Sequence, residues 1–350
     1  MMGKLLAALL AGIFYLCLQT VPAEAQQPMI TTEAWQAYKT KFLDPGGRII
    51  DDGNGNISHS EGQGYGLLLS VLAGSQSDFA LIWTFTRTEL LLRNDGLAAW
   101  KWSPGAKPHV TDVNNASDGD ILIAYALGLA GQQWNRRDYT AAGAAIARAI
   151  LARTVVQNSG RTLLLPGAAG FSASDREDGP VINPSYWIFE AFPVLDQLAP
   201  SPTWGKLRDD GIALIGELRF GPKQLPADWV SLGPSPKPAS GFPAEYGYNA
   251  LRIPLYLVRG GVTDRQLLSR FRQATSGAND ALTTVDLHSG TTRNNLSDPG
   301  YRIVNHILAC VVDKTALPAD VKQFTPTLYY PSTLQLLGLS FVAAKHPECL

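Results

Sequence analysis

The chain has 350 residues, a formal net charge of −1 and 45% hydrophobic residues, enough for one large domain or two small ones with a full core. A near-zero charge with no basic block argues against nucleic acid or an anionic membrane as a partner. Three cysteines are too few for a disulfide framework, and the five histidines show no metal-ligand spacing.

The chain opens with a lysine at position 4, an apolar run from Leu5 to Leu18, and then Ala23-Glu24-Ala25. That layout predicts a signal peptide over residues 1–25, cleaved after Ala25, and hence a secreted or periplasmic protein with a single domain over 26–350. The run is shorter than the roughly 20 residues that span a bilayer, so no membrane anchor is expected after cleavage. Only Cys310 and Cys349 then remain. One disulfide is open to them, and the sequence does not decide whether it forms.

A short amphipathic helix is predicted from Thr32 to Phe42, followed by a polar loop. The loop DGNGNISHSEGQ has the spaced Asp and Asn of a calcium loop. It also has Ile57 where the sharp turn needs glycine and Gln63 where a bidentate Glu is required, so no metal is expected there.

The stretch ISHSEGQGYGLLLSVLAG follows, placing one acid, Glu61, at the mouth of an apolar helix. Ser60 and Gln63 read as a capping box, with Ser60 at the N-cap. Gly62, Gly64 and Gly66 are poor helix formers, and their clustering suggests close approach to the backbone, most simply by a ligand. The helix dipole favours an ionised carboxylate at Glu61, so acid catalysis there would need burial or a second carboxylate to hold the proton.

Ser77 to Arg93 reads as an outer helix, polar on one side. The pattern repeats with Asp118 to Ala130, apolar nearly all round, and Arg136 to Val155, amphipathic. Apolar helices are predicted to begin near Asn183, Tyr246 and Pro299, and more polar ones near Pro202, Asp264 and Ala319. A last helix runs from about Tyr330 to Lys345. The apolar helices start at steps of about 55–65 residues, the length of a helical hairpin plus loop. About six such hairpins would close into an all-α, (α/α)6 toroid whose inner-helix N-termini face a cleft framed by long loops.

Ser117 or Asp118 is placed to cap the second inner helix, and Asp120 stands in its first turn. Glu61 and Asp118 occupy equivalent points of successive hairpins, so they can share one cleft, where the charge of Asp118 would raise the pKa of Glu61. Tyr65, Trp100, Trp102, Tyr186 and Tyr330, with Tyr329 beside it, are candidates to stack on the apolar faces of sugars. His59, two residues before Glu61, is a further neighbour of the cleft.

From Ala116 to Trp134 the chain resembles the signature of glycoside hydrolase family 8, an Ala-Ser-Asp-Gly-Asp opening that runs on to a tryptophan. SEGQGYG is similar to that family's acid motif, and NPSYW and YNALRIPLYL are similar to further family segments. Among family members the chain looks most like the endoglucanases found with bacterial cellulose synthases. The resemblance implies an (α/α)6 barrel that hydrolyses β-1,4-linked glucan with inversion, without metal or cofactor. A functional association with cellulose synthase machinery would go with it.

By the same resemblance Glu61 matches the general acid, and Asp118 the aspartate that contacts the central sugar and helps hold the attacking water. Asn249 departs from the pattern, standing where many members carry the aspartate that acts as base. Asp118 itself, Glu245 and the acidic loop Asp175, Glu177, Asp178 are the candidates for a displaced base, while Asn249 and Arg252 would position the water. Chitosan, xylan or mixed-linkage glucan are alternative substrates, and a glucan-binding relative without activity is the non-enzymatic alternative.

Overall fold

The computed structural model describes residues 29–350; the predicted signal peptide lies outside them. Twelve α-helices alternate between an outer and an inner layer among these residues. They are α1 Thr32–Phe42, α2 Ser60–Leu72, α3 Gln76–Phe85, α4 Ser117–Gln133, α5 Arg137–Arg153, α6 Phe192–Leu198, α7 Pro202–Glu217, α8 Ile253–Arg259, α9 Arg265–Thr275, α10 Pro299–Asp313, α11 Ala319–Lys322 and α12 Tyr329–Lys345. The even-numbered helices form the inner ring and the odd-numbered ones the outer layer, the predicted (α/α)6 arrangement. α12 packs on both α10 and α2, closing the ring.

Burial follows the sequence pattern. α2 is covered from Gly62 to Val71, and α4 is covered at nearly every position from Ser117 to Gly131. α5, α7 and α9 bury one stripe each, Tyr139, Ile146 and Ile150 in α5 and Leu267, Leu268 and Phe271 in α9. Side-chain caps mark several starts: Thr31 for α1, Ser201 for α7, Asp264 for α9 and Asp298 for α10. None of the described helices is long and apolar enough to cross a membrane.

The structure corrects several local expectations. His59, not Ser60, is the N-cap of α2: its Nδ1 accepts from the Gly62 N–H at 3.0 Å. Gln63 turns away from the cap, accepting from the Ile49 N–H at 2.6 Å and donating to the Gly47 carbonyl at 3.1 Å. At α4 the N-cap is Ala116; Ser117 donates instead to the Leu165 carbonyl at 2.8 Å, and Asp118 lies inside the first turn. The predicted helix from Ser77 to Arg93 is α-helical only over Gln76–Phe85 and then widens into a π-turn over Thr86–Leu90.

Near Asn183 and Tyr246 the inner helices begin late, with 3₁₀ turns Pro184–Tyr186 and Ala250–Arg252 leading into α6 and α8. Short antiparallel strands brace the loops, among them Leu282–Asp286 between Thr292–Leu296 and Glu245–Tyr246. Cys310 in α10 is joined by a disulfide to Cys349, 39 residues on.

The glycine cluster of α2 has a packing cause rather than a ligand one. A Cβ on Gly64 would lie 2.5 Å from Leu122 Cβ of α4, and one on Gly119 of α4 would lie 2.1 Å from Ser60 Oγ and 2.7 Å from the Glu61 nitrogen. Those two glycines let α2 and α4 touch backbone to backbone at their N-terminal ends. The acids that open the two helices are thereby brought side by side.

Candidate active site

A cleft of about 360 Å³ opens over the N-termini of α2 and α4. Glu61 and Asp118 both line it, and one guanidinium joins them: Arg252 Nη1 donates to Glu61 Oε1 at 2.5 Å and Nη2 to Asp118 Oδ2 at 3.1 Å. Arg252 is 3% exposed and Asp118 2%, so that pair is nearly dry, whereas Glu61 is half-buried and reaches the cleft. Paired charges are tolerated at such depth only because each carboxylate has a donor facing it.

Burial, with the charge of Glu61 beside it, pushes the Asp118 carboxyl up to about 7, against the pull of Arg252 and of the Gly119 N–H. The sequence reading had the charge of Asp118 acting on Glu61; in the structure the charge of Glu61 acts on the deeper carboxyl, Asp118. Asp118 thereby keeps a proton into the neutral range.

His59 adds a second layer. Because Nδ1 accepts the cap bond from Gly62, the ring proton sits on Nε2, which faces Asp51 Oδ2 at 3.4 Å. Nδ1 is also 3.8 Å from Glu61 Oε2. Burial pulls the imidazole pKa down, but the bond to Asp51 and the charges of Glu61, Asp51 and Asp118 more than offset it, so the net shift is upward from 6.5.

Trp100, Tyr186, Asn249, Arg252 and Tyr330 line the cleft, where the sequence reading placed them. Trp100 Nε1 donates to Asp112 Oδ2 at 2.8 Å, and its carbonyl accepts from the Ser60 N–H at 2.9 Å, which ties this wall to the start of α2. The Tyr186 ring lies 5.9 Å from the Arg252 guanidinium carbon, and Tyr330 donates to the Tyr248 carbonyl at 2.6 Å. Asn249 is held on two sides: Nδ2 donates to Asp228 Oδ2 at 3.4 Å, and Oδ1 accepts from Arg252 Nη2 at 3.4 Å.

Other candidates fall elsewhere. Tyr65 is 0% exposed, its hydroxyl bonded to that of Tyr256, so it belongs to the core between α2 and α8. Trp102 lies off the cleft, stacked on His109 at 4.2 Å with its Nε1 donating to Glu89. Of the proposed displaced bases, Glu245 pairs with Arg293 at 3.4 Å on a strand outside the cleft. Asp175, Glu177 and Asp178 line a separate surface pocket of about 780 Å³. There Asp178 is neutralised by Arg176 at 2.8 Å, and Asp175 accepts the N–H groups of Gly170 and Ser172.

Sequence reasoning missed Trp229 and Asp51, both on the cleft, and Asp228 directly behind it. Trp229 is sandwiched between Phe171, 5.7 Å away, and Phe242, 4.5 Å away, which fixes its ring plane at the cleft wall. Ala-Asp-Trp-Val lies in a loop without periodicity, so only its aromatic residue gave any signal. Tyr248, 45% exposed at the rim, was visible inside the YNALR segment but had no assigned part.

The sequence profile for "Glycosyl hydrolases family 8" matches residues 2–344. A probable endoglucanase of Novacetimonas hansenii is 36% identical over 320 residues, covering 89% of this chain and 90% of that protein. An endoglucanase of Cellulomonas uda is 40% identical over 254 residues, covering 72% and 68%. Among solved structures, a family 8 endoglucanase of Klebsiella pneumoniae superposes with a TM-score of 0.79 at 33% identity, covering 89% of this chain and all of that one. The endo-β-1,4-glucanase of Acetobacter xylinum gives 0.78 at 35% identity, covering 91% and 98%. With two acids on one buried guanidinium at the mouth of an (α/α)6 ring and this match over nearly its whole length, the chain belongs to family 8 of the glycosyl hydrolases.

Proposed function

We propose that the protein is an endo-acting endoglucanase that hydrolyses internal β-1,4-glucosidic bonds of cellulose-like chains by single displacement, with inversion. The observation that carries this reading is Glu61, a half-buried acid in an open cleft, bonded through Arg252 to a second acid whose proton is retained near neutrality. Glu61 protonates the leaving glycosidic oxygen, Asp118 holds the ring at the scissile bond, and the planes of Trp100 and Tyr186 carry the sugar faces along the cleft. The relatives named endoglucanase support a glucan as substrate.

The lysine, apolar run and Ala23-Glu24-Ala25 of the first residues support export to the periplasm or medium. Similarity to endoglucanases of Novacetimonas and Acetobacter supports action alongside bacterial cellulose metabolism. Glu61→Gln, which keeps the shape and one acceptor for Arg252, is expected to lower turnover of soluble carboxymethyl cellulose by about 10²–10⁴-fold, the usual worth of a positioned acid, while glucan binding persists. Turnover within a few-fold of the wild type would remove Glu61 from the chemistry. Fresh reducing ends are expected as the α-anomer in a time-resolved NMR spectrum, and β-anomer would contradict inversion.

A further inference from the structure

An inverting hydrolase needs a proton acceptor for its water on the sugar face opposite the acid, with the two carboxyl groups about 6.5–9.5 Å apart. Three carboxylates line the cleft, and none suits that task. Glu61 and Asp118 sit on neighbouring nitrogens of one guanidinium, which leaves no room for a sugar ring between them. Asp51 stands on the side of Glu61, bonded to His59, whose other nitrogen is 3.8 Å from Glu61.

The next acid is one side chain back from the cleft wall. Asp228, 5% exposed, accepts the backbone N–H groups of Gly247 at 2.7 Å, Ala250 at 2.8 Å and Asn249 at 3.3 Å. Its Oδ2 also faces Asn249 Nδ2 at 3.4 Å, and Asn249 lines the cleft. The orientation of that carboxamide is fixed by chemistry at both ends. Arg252 only donates and an ionised Asp228 only accepts, so a flipped amide would set donor against donor and acceptor against acceptor.

Resting on the proposed inverting hydrolysis, we propose that Asp228 is the acceptor of the water proton, reached through the Asn249 carboxamide. Water attacks the anomeric carbon and its O–H proton passes to Asn249 Oδ1, while an Nδ2 proton passes to Asp228 Oδ2. The anomeric C–O bond breaks, and the leaving oxygen takes the proton of Glu61. Asn249 is left for a moment as the imidic acid and Asp228 as the neutral carboxylic acid. In the emptied cleft the imidic O–H gives its proton to solvent as Asp228 returns one to the nitrogen, which restores the amide and the carboxylate, and Glu61 takes a proton back from solvent. No other reactant is needed.

Burial raises the Asp228 pKa against the pull of its backbone donors and of Asn249, which makes it a better proton acceptor than an exposed aspartate. The charged and titratable groups around it are the Arg252 guanidinium beyond Asn249, the Glu245 carboxylate across Gly247, and the phenols of Tyr246 and Tyr186.

The test uses the mature enzyme on carboxymethyl cellulose. Asn249→Ala leaves the backbone bonds of Asp228 in place and is expected to lower kcat by about 10²–10⁴-fold with KM little changed. Asp228→Asn should lose as much. The exchanged pair, Asp228→Asn with Asn249→Asp, puts a carboxylate directly on the cleft and should recover at least tenfold over Asp228→Asn, with the acid limb of the kcat profile moved to lower pH.

Azide should rescue Asn249→Ala, giving the α-glycosyl azide. Asn249→Ala with wild-type turnover, or an exchanged pair that folds, as judged by circular dichroism, yet stays as slow as Asp228→Asn, would overturn the relay. Loss of activity in Glu61→Gln alongside full activity in Asn249→Ala would leave the hydrolase reading standing and remove only this inference.

Discussion

The cleft has a helix-borne half and a loop-borne half, and they hold their acids by different means. Glu61 and Asp118 stand in the first turns of two helices whose backbones touch through Gly64 and Gly119, and they are balanced by a side chain, Arg252. Asp228 lies in a loop and is balanced by the N–H groups of the turn that carries Asn249 and Arg252. The helix-borne half supplies rigid placement but depends on the loop-borne half for its counter-charge. The loop-borne half is braced from within and owes its shape to one buried carboxylate. Charge and scaffold thus come from different parts of the chain, and neither half is complete alone.

The largest expected effect comes from severing that dependence. Arg252→Met removes the guanidinium and leaves the buried Asp118 and the half-buried Glu61 without a counter-charge, an expected cost of about 3–5 kcal/mol in urea unfolding. A cost below about 1 kcal/mol would mean that the two acids are insulated from Arg252, contrary to the hydrogen bonds that it donates to both.

A smaller effect separates the halves by packing. Gly119→Ala forces a methyl group onto Ser60 Oγ and the Glu61 nitrogen and is expected to cost about 1–3 kcal/mol. Gly233→Ala, in the loop region with its nearest contact at 3.7 Å, should be neutral to within about 0.5 kcal/mol. Equal effects at the two glycines would erase the distinction between a close-packed helix pair and a roomier loop.

The mildest effect is on pH. Asp118 and Asp120 are raised from 3.8 to about 7 by burial, so the folded protein keeps protons that the unfolded chain releases in that window. The folded state binds more protons than the unfolded one, and stability therefore falls as pH climbs from about 4 to about 7. His59, also raised, works in the same direction as pH passes through its folded value. The Tm is expected to be a few degrees higher at pH 5 than at pH 8, with a shallower slope in Asp120→Asn. A Tm that rises over this range would contradict the burial of these carboxyls as charged groups.

The sequence carried the helix-borne half well. A hydrophobic run with glycines and a first-turn acid is a local signal, and local signals placed Glu61, Asp118 and the six-hairpin ring. Even there the caps were misplaced, because a His that follows a strand bond can cap as well as a Ser, and Gln63 found a better partner in Ile49. The glycines were read as room for a ligand when they are room for a neighbouring helix, a distinction that periodicity cannot make.

The loop-borne half was legible only where it repeats a family segment, in Tyr186, Asn249 and Arg252. Asp228 and Trp229 gain their roles from partners that are close in space and far in sequence: Asp228 from Gly247 to Ala250, and Trp229 from Phe171 and Phe242. Tyr65 and Trp102 show the converse. Both stand near motif residues, yet one turns inward to Tyr256 and the other stacks on His109.

The seam between α12 and α2 has a consequence for how the molecule is assembled. Tyr38 bonds Thr333 across 295 positions, and the Tyr329 N–H meets Asp52 across 277, so the cleft borrows its floor from both extremities of the described chain. Contacts of that span form slowly, because a long loop must close before they contribute anything. A nascent polypeptide can stack its early hairpins in succession, but the ring remains an open crescent until the last helix arrives. The ability to grip a glucan is therefore acquired in a single late step.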